Sequence, residues 1–210
     1  MTQSTLEGPT RVRVIRQAFT LEYFTLAWMA VEAVVAVGSG VAAHSVTLVA
    51  FGVDSVIEFG SACVLIWRLS VELQKGERFA EAAERTASRI GGALLFALAA
   101  YVVIAAGWSL WSKHGEEFSL PGLLVSAVAI PVMWVLSRRK LAAATALGSR
   151  ALRTDAVESI TCLWLSAVVV VGLAVQYLTH AWWVDAVTSL AIVYFLIKEG
   201  REAWLDYDDD

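Results

Sequence analysis

The sequence contains six apolar runs of about 20 residues, each bounded by segments that carry charge. The runs occupy approximately residues 19–41, 45–67, 90–111, 120–137, 155–178 and 182–200. A helix of 20 residues is about 30 Å long, which matches the hydrocarbon thickness of a bilayer. Hydrophobic residues make up 58% of the chain and charged residues 17%, so little remains for a soluble domain. The sequence therefore predicts an all-α integral membrane protein, a six-transmembrane-helix bundle.

Positive charge is distributed unequally between the two sides of such a bundle. If the N-terminus is cytoplasmic, 15 of the 16 Lys and Arg residues lie inside, and Lys113 alone lies outside. Because Lys and Arg accumulate in cytoplasmic loops, both termini are predicted to be inside. We expect a cytoplasmic N-terminal segment (1–18), a transmembrane domain (19–205) and an acidic cytoplasmic tail (206–210). The expected location is the plasma (cell inner) membrane.

Several acidic residues fall inside the apolar runs. A charged carboxylate at the centre of a bilayer costs at least about 2.5 kcal/mol, so each one needs a partner or a function. The basic residues are expected at span ends or in loops, which leaves no counter-charge inside the bundle. The acids are then either protonated through desolvation, or they face a wet cavity and hold a cation. The residues concerned are Glu32, Asp54, Glu58, Glu158 and Asp185.

Helical geometry groups these acids. A helix turns about 100° per residue, so Asp54 and Glu58 lie on one face of the second span. In the fifth span Asp155, Glu158 and Cys162 form one stripe. Counted from the cytoplasmic ends of the two spans, Glu58 and Cys162 lie at similar depth, so one ion can bridge them. Cys63 is nine residues from Asp54, on the opposite face, and is interpreted as a packing residue.

Other roles remain open for some of these residues. Asp155 and Glu158 match a capping box at the start of a span, although Asp155 can also lie where the ion enters. Asp185 opens the last span, where a capping role is favoured. Glu32 can act as a proton relay or pair with neighbouring Ser and Thr side chains. A lone cysteine in an apolar helix, such as Cys162, is often a small packing residue.

Two segments carry a resemblance to a known family. SVTLVAFGVDSVIE, in the second span, is similar to the segment of the cation diffusion facilitator (cation efflux) family in which an apolar run leads to two ligands four residues apart. WWVDAVTSLAIVYFLI resembles the sixth helix of that family, with Asp185 carrying the match. The resemblance covers nearly the whole chain. It implies metal ligands at Asp54 and Glu58.

The fifth span departs from the family pattern. Members usually have His-x-x-x-Asp there, and this span has no His. Counting back from Asp185 at the family's spacing gives Glu158 and Cys162, whereas matching the local Asp-Ala pair gives Asp155. The first register agrees with the depth estimate and is preferred. Family members often continue into a cytoplasmic metal-binding domain, which is not expected here, and a homodimer is left open.

The resemblance implies a secondary transporter that exports a divalent metal by proton-coupled alternating access. Three oxygen ligands and one sulfur suit Zn²⁺, Cd²⁺ or Co²⁺ better than Mn²⁺ or Fe²⁺. Metal ions and protons are the expected partners, with the lipid bilayer, and no cofactor is expected. No GxSxG or HExxH motif and no basic face occurs, so neither an enzyme nor nucleic-acid binding is expected. The alternative is a non-transporting accessory or sensor protein whose acids are protonated structural contacts.

Overall fold

The computed structural model describes residues 8–75, 81–112, 117–181 and 183–205. These residues form six α-helices joined by short connections. The helices are α1 (Gly8–Ala43), α2 (Val46–Lys75), α3 (Glu81–Ser112), α4 (Leu120–Leu147), α5 (Arg150–Thr179) and α6 (Val184–Leu205). The predicted all-α bundle of six helices is confirmed. We call the end at which α1 begins and α4 ends the basic end, and the opposite end the far end.

Each helix extends beyond the apolar run that predicted it. The helices are 22 to 36 residues long and continue into the charged segments. This is clearest where α2 reaches Lys75 and α5 begins at Arg150. A polar sequence rich in Glu, Lys, Arg and Ala keeps a high helix propensity, so the end of a hydrophobic run need not end the helix. The predicted acidic tail, 206–210, lies outside the described residues.

Four helices are long and apolar enough to cross a membrane. They are Arg11–Ala43, Val46–Val71, Leu120–Leu147 and Asp155–Thr179, and α3 carries a shorter apolar stretch, Leu95–Trp111, within the described residues. Large apolar side chains such as Ile104, Trp111 and Leu178 are exposed on the outside of the bundle, where lipid can cover them. The protein is therefore an integral membrane protein. Its orientation stays a prediction.

The helices pack mainly in the pairs α1 with α2, α4 with α5, and α3 with α6. Glycine allows the closest approach between α1 and α2. A Cβ atom added to Gly52 would lie 2.8 Å from the backbone nitrogen of Val37, and one added to Gly40 would lie 2.7 Å from that of Val49. Such distances are shorter than real contacts, so the two backbones touch along this line. This brings the polar faces of α1 and α2 together.

Local sequence signals set the ends of α4 and α5. Ser119 accepts a hydrogen bond from the Gly122 N–H, and Pro121 lies in the first turn of α4, where its missing N–H costs little. The helix continues through Pro131 to Gly148, which adopts a left-handed conformation. Ser149 then caps α5 by accepting from the Leu152 N–H. The turn between the two helices thereby aligns α5 antiparallel to α4.

Candidate functional site

Glu32 lies at the centre of a buried polar cluster between α1, α2 and α5. Its Oε1 atom accepts a hydrogen bond from Ser55 Oγ at 2.7 Å and lies 3.6 Å from Cys162 Sγ, which donates to it. Its Oε2 atom accepts from the indole nitrogen of Trp28 at 2.7 Å. Glu32 therefore joins α1 to α2 and α5 through neutral donors. The first helix, for which the sequence predicts only an accessory role, contributes a central carboxyl group.

Asp54 and Glu58 reach the same region from α2. Both side chains are buried, which agrees with the shared face expected from their spacing. Glu58 Oε1 accepts from Ser159 Oγ on α5 at 3.2 Å. Asp54 interacts electrostatically with Glu58 and Glu32. Cys162 interacts with all three of these carboxyl groups. We call Glu32, Asp54, Glu58 and Cys162 the middle cluster.

Glu158 lies nearer the basic end than the middle cluster. It is half-buried, and its Oε2 atom accepts a hydrogen bond from Ser61 Oγ of α2 at 2.8 Å. Ser61 is three residues beyond Glu58, close to one helical turn. Glu158 still interacts electrostatically with Glu58. Glu158 therefore lies on the α2–α5 interface, about one helical turn closer to the basic end than Cys162, as its position in the sequence implies.

The four predicted metal ligands, Asp54, Glu58, Glu158 and Cys162, thus border one interface between α2 and α5. Within the ranges that the structure describes, no three His, Cys, Asp or Glu side chains converge as a formed metal-binding group. Serine hydroxyls occupy oxygens of Glu58 and Glu158 instead. The ligand assignment stays a prediction.

A buried lysine corrects the expectation that the bundle holds no counter-charge. Lys140 of α4 is fully buried, and its ammonium lies 2.6 Å from Asp155 Oδ2 and 3.2 Å from Glu22 Oε2. Both carboxylates are buried too. The sequence suggests that Lys140 is an interfacial residue, because it follows Arg138 and Arg139. Those two arginines are exposed, whereas Lys140 points into the bundle. We call Glu22, Lys140 and Asp155 the inner cluster.

The capping role considered for Asp155 and Glu158 is wrong. Helix α5 begins at Arg150 after the Ser149 cap, so Asp155 lies more than one turn inside the helix. The apolar run begins near Asp155, but the helix begins earlier, in the polar segment that precedes it. Asp155 instead joins α5 to α4 through Lys140.

Asp185 lies at the far end and caps a helix other than its own. It is in the first turn of α6, yet its carboxylate accepts a hydrogen bond from Ser45 Oγ and another, at 3.1 Å, from the Thr47 N–H. Ser45 and Thr47 stand at the start of α2, whose first N–H groups have no partner within the helix. The described contacts of Asp185 therefore fasten α6 to the beginning of α2.

Cys162 faces the site and Cys63 points away from it, as helical geometry predicted. Cys162 is buried in the middle cluster, and Cys63 lies on the exposed surface of α2. Cys63 does point away from the site, but it faces outward, so describing it as a packing residue is wrong. Neither Lys140 nor its partner Glu22 was predicted as a site residue from the sequence. Glu22 could have been noticed as an acid inside the first helix.

The fold and this site define a polytopic all-α membrane protein with carboxyl and thiol groups buried between its helices. Residues 24–206 match the sequence model of the cation efflux transmembrane domain. The chain belongs to the cation efflux family. It is also 29% identical over 164 residues to an uncharacterized transporter of Synechocystis sp.. That match covers 74% of this chain and 52% of the relative, so the chain spans about half the length of the curated relative it matches.

Proposed function

We propose that this chain transports divalent metal cations, exporting Zn²⁺, or alternatively Cd²⁺ or Co²⁺, from the cytoplasm in exchange for protons. The observation that carries the proposal is the middle cluster, in which three carboxyl groups and one thiol from three helices are buried inside a bundle of the cation efflux family. Buried ionisable groups of this kind mark ion pathways in membrane proteins.

The donors explain why metal and proton exchange at one place. Carboxylates and thiolates bind metal only when they are deprotonated, so protons and metal compete for the same atoms. Asp54 and Glu58 of α2, with Glu158 and Cys162 of α5, are the proposed ligands. Metal arriving from the cytoplasm displaces their protons. Protons arriving from outside restore the hydrogen-bonded arrangement and favour release of the metal.

The thiol sets the proposed metal preference. Oxygen donors alone suit Mn²⁺ and Fe²⁺, while a sulfur donor favours softer ions such as Zn²⁺ and Cd²⁺. Cys162 is buried beside the carboxyl groups and has no competing disulfide partner within the described chain. Its position therefore supports Zn²⁺ or Cd²⁺ over Mn²⁺ as the exported ion.

The test is metal flux in proteoliposomes with a pH-sensitive dye inside. The parent is expected to move Zn²⁺ and protons in opposite directions, and Asp54→Ala is expected to lose both fluxes. Cys63→Ser is the matched control, because Cys63 is on the outer surface, and it should behave like the parent. Undiminished Zn²⁺ flux in Asp54→Ala would refute the site. Absence of metal flux in the folded parent would favour the accessory or sensor alternative.

A further inference from the structure

The inner cluster holds two acids and one base. Lys140 Nζ lies 3.2 Å from Glu22 Oε2 and 2.6 Å from Asp155 Oδ2, and all three side chains are at least 97% buried. With every group ionised, the cluster carries one uncompensated negative charge. A buried net charge is costly unless further groups compensate it. The lysine therefore only partly neutralises the two carboxylates.

The second oxygen of each carboxylate has no hydrogen-bond donor. Glu22 Oε1 and Asp155 Oδ1 are buried and accept no hydrogen bond from any residue that the structure describes. The two carboxyl groups also lie close enough to interact with each other. Buried polar atoms are nearly always paired, so an unpaired buried carboxylate oxygen indicates a water, an ion or a proton shared between the two groups. These oxygens come from two helices, α1 and α5.

We infer that Glu22 and Asp155 form a second cation site, at which the transported divalent ion first loads from the cytoplasm and displaces the ammonium of Lys140. The inference rests on the proposed function for the identity and direction of the ion. A divalent cation between the two carboxylates neutralises both negative charges, whereas Lys140 neutralises only one. Between transport cycles Lys140 occupies the site and compensates one of its two negative charges.

The position of this loading site fits a path to the middle cluster. Along α5, Asp155, Glu158 and Cys162 follow one another at intervals of about one turn, and about 10 Å separates the first from the last. Lys140 has a long flexible stem, and its neighbours Arg138 and Arg139 are exposed at the basic end. Its ammonium can therefore move toward water when a metal ion takes its place.

The loading site has oxygen donors only, so its ion preference differs from that of the middle cluster. Carboxylate oxygens discriminate less between Mn²⁺ and Zn²⁺ than a thiolate does. Discrimination for softer ions is then left to Cys162, about two turns further along α5. Mn²⁺ is accordingly the probe that reports the loading site with least contribution from the thiol.

The experiment measures Mn²⁺ binding to the purified full chain by equilibrium dialysis. Asp54→Ala and Cys162→Ser remove two of the proposed ligands in the middle cluster, and Lys140→Met is added to that background. Removing the competing ammonium should tighten Mn²⁺ binding by at least about tenfold, equivalent to about 1.4 kcal/mol. Lys140→Arg, which keeps the charge, should give no gain. Adding Asp155→Asn to Lys140→Met should abolish the gain.

Two results would overturn the inference. One is a folded Lys140→Met protein that binds Mn²⁺ no better than its Lys140 parent, as expected if the carboxyl groups merely share a proton. The other is a gain that survives Asp155→Asn. Neither result depends on transport, so the proposed function can fail or stand separately on the flux measurement.

A second measurement covers the case in which Lys140→Met does not fold. Glu22→Gln and Asp155→Asn, each with Lys140 present, should raise the cytoplasmic Mn²⁺ and Zn²⁺ concentrations that give half-maximal flux by several-fold, with the maximal rate nearly unchanged. A loading site acts on capture of the ion, whereas a purely structural ion pair would lower the maximal rate. A fall in the maximal rate with unchanged half-saturation would overturn the inference.

Discussion

At the scale of single residues, Cys162 is the group that we propose gives the middle cluster its preference among metal ions. Its sulfur lies 3.6 Å from Glu32 Oε1 and is almost wholly buried between the helices. A thiolate is a softer donor than a carboxylate and raises the preference for Zn²⁺ and Cd²⁺. Serine occupies nearly the same space but supplies a hard, weakly acidic oxygen.

Cys162→Ser is therefore expected to change the metal preference of the transporter rather than to abolish transport. The rate with Cd²⁺ should fall relative to the rate with Mn²⁺ by at least about tenfold, equivalent to about 1.4 kcal/mol of discrimination. The measurement is competitive flux of the two ions in proteoliposomes. Cys63→Ser, on the outer surface of α2, is the matched control and should leave the ratio unchanged. An equal fall for both ions would assign Cys162 to packing.

Residue-level prediction from the sequence succeeded where the relevant partner lay on the same helix. The shared face of Asp54 and Glu58 follows from helical periodicity, and both are buried as expected. It failed for Lys140, because its partners Glu22 and Asp155 come from two other helices. A charge next to Arg138 and Arg139 resembles an interfacial residue, and only tertiary packing distinguishes it.

At the scale of secondary-structure elements, the number and order of the helices could be predicted, whereas their ends and caps could not. Apolar runs locate the segments that lie in the bilayer, but helix formation continues into polar sequence. The Asp-x-x-Glu pattern at Asp155 favours a helix start for that reason, although α5 begins at Arg150. Asp185 does act as a cap, but for α2, and a contact between α6 and α2 has no local sequence signal.

The close contact of α1 with α2 holds Glu32 against Ser55. Gly52 lies three residues before Ser55, and the space beside it is filled by Val37 of α1. A larger residue there must push the two helices apart. The 2.7 Å hydrogen bond between Ser55 Oγ and Glu32 Oε1 depends on this spacing. The glycine therefore contributes to the site although it carries no ligand.

Gly52→Ala is expected to destabilise the protein by about 1–3 kcal/mol, because the added methyl group overpacks the contact with α1. Thermal unfolding in detergent measures the effect, and flux should fall with it because Glu32 and Ser55 are separated. Gly60→Ala is the control on the same helix. Nothing lies within 4 Å of a Cβ at Gly60, so that variant should be at least as stable as the parent. Equal destabilisation by the two substitutions would contradict a specific contact at Gly52.

At the scale of the whole molecule, polar side chains lie at three levels along an otherwise apolar bundle. The inner cluster is near the basic end, the middle cluster is about two turns deeper along α5, and Asp185 with Ser45 is at the far end. If the basic end faces the cytoplasm, as the distribution of Lys and Arg predicts, an exported ion meets these levels in that order. Each level joins different helices, so an ion that binds there changes how those helices are held together.

If metal binds at these levels as proposed, its competition with protons predicts the pH dependence of the whole protein. Metal binding requires deprotonated carboxylates and thiolate, so acidification must weaken it, and the slope of log Kd against pH counts the protons displaced. Zn²⁺ binding to the purified protein, followed by calorimetry in buffers of different ionisation enthalpy, should weaken by about 1–2 log units per unit fall in pH. In vesicles, an acidic compartment opposite the metal should accelerate flux, and dissipating the gradient with a protonophore should remove the acceleration. A Kd independent of pH would mean that the buried acids do not exchange protons for metal.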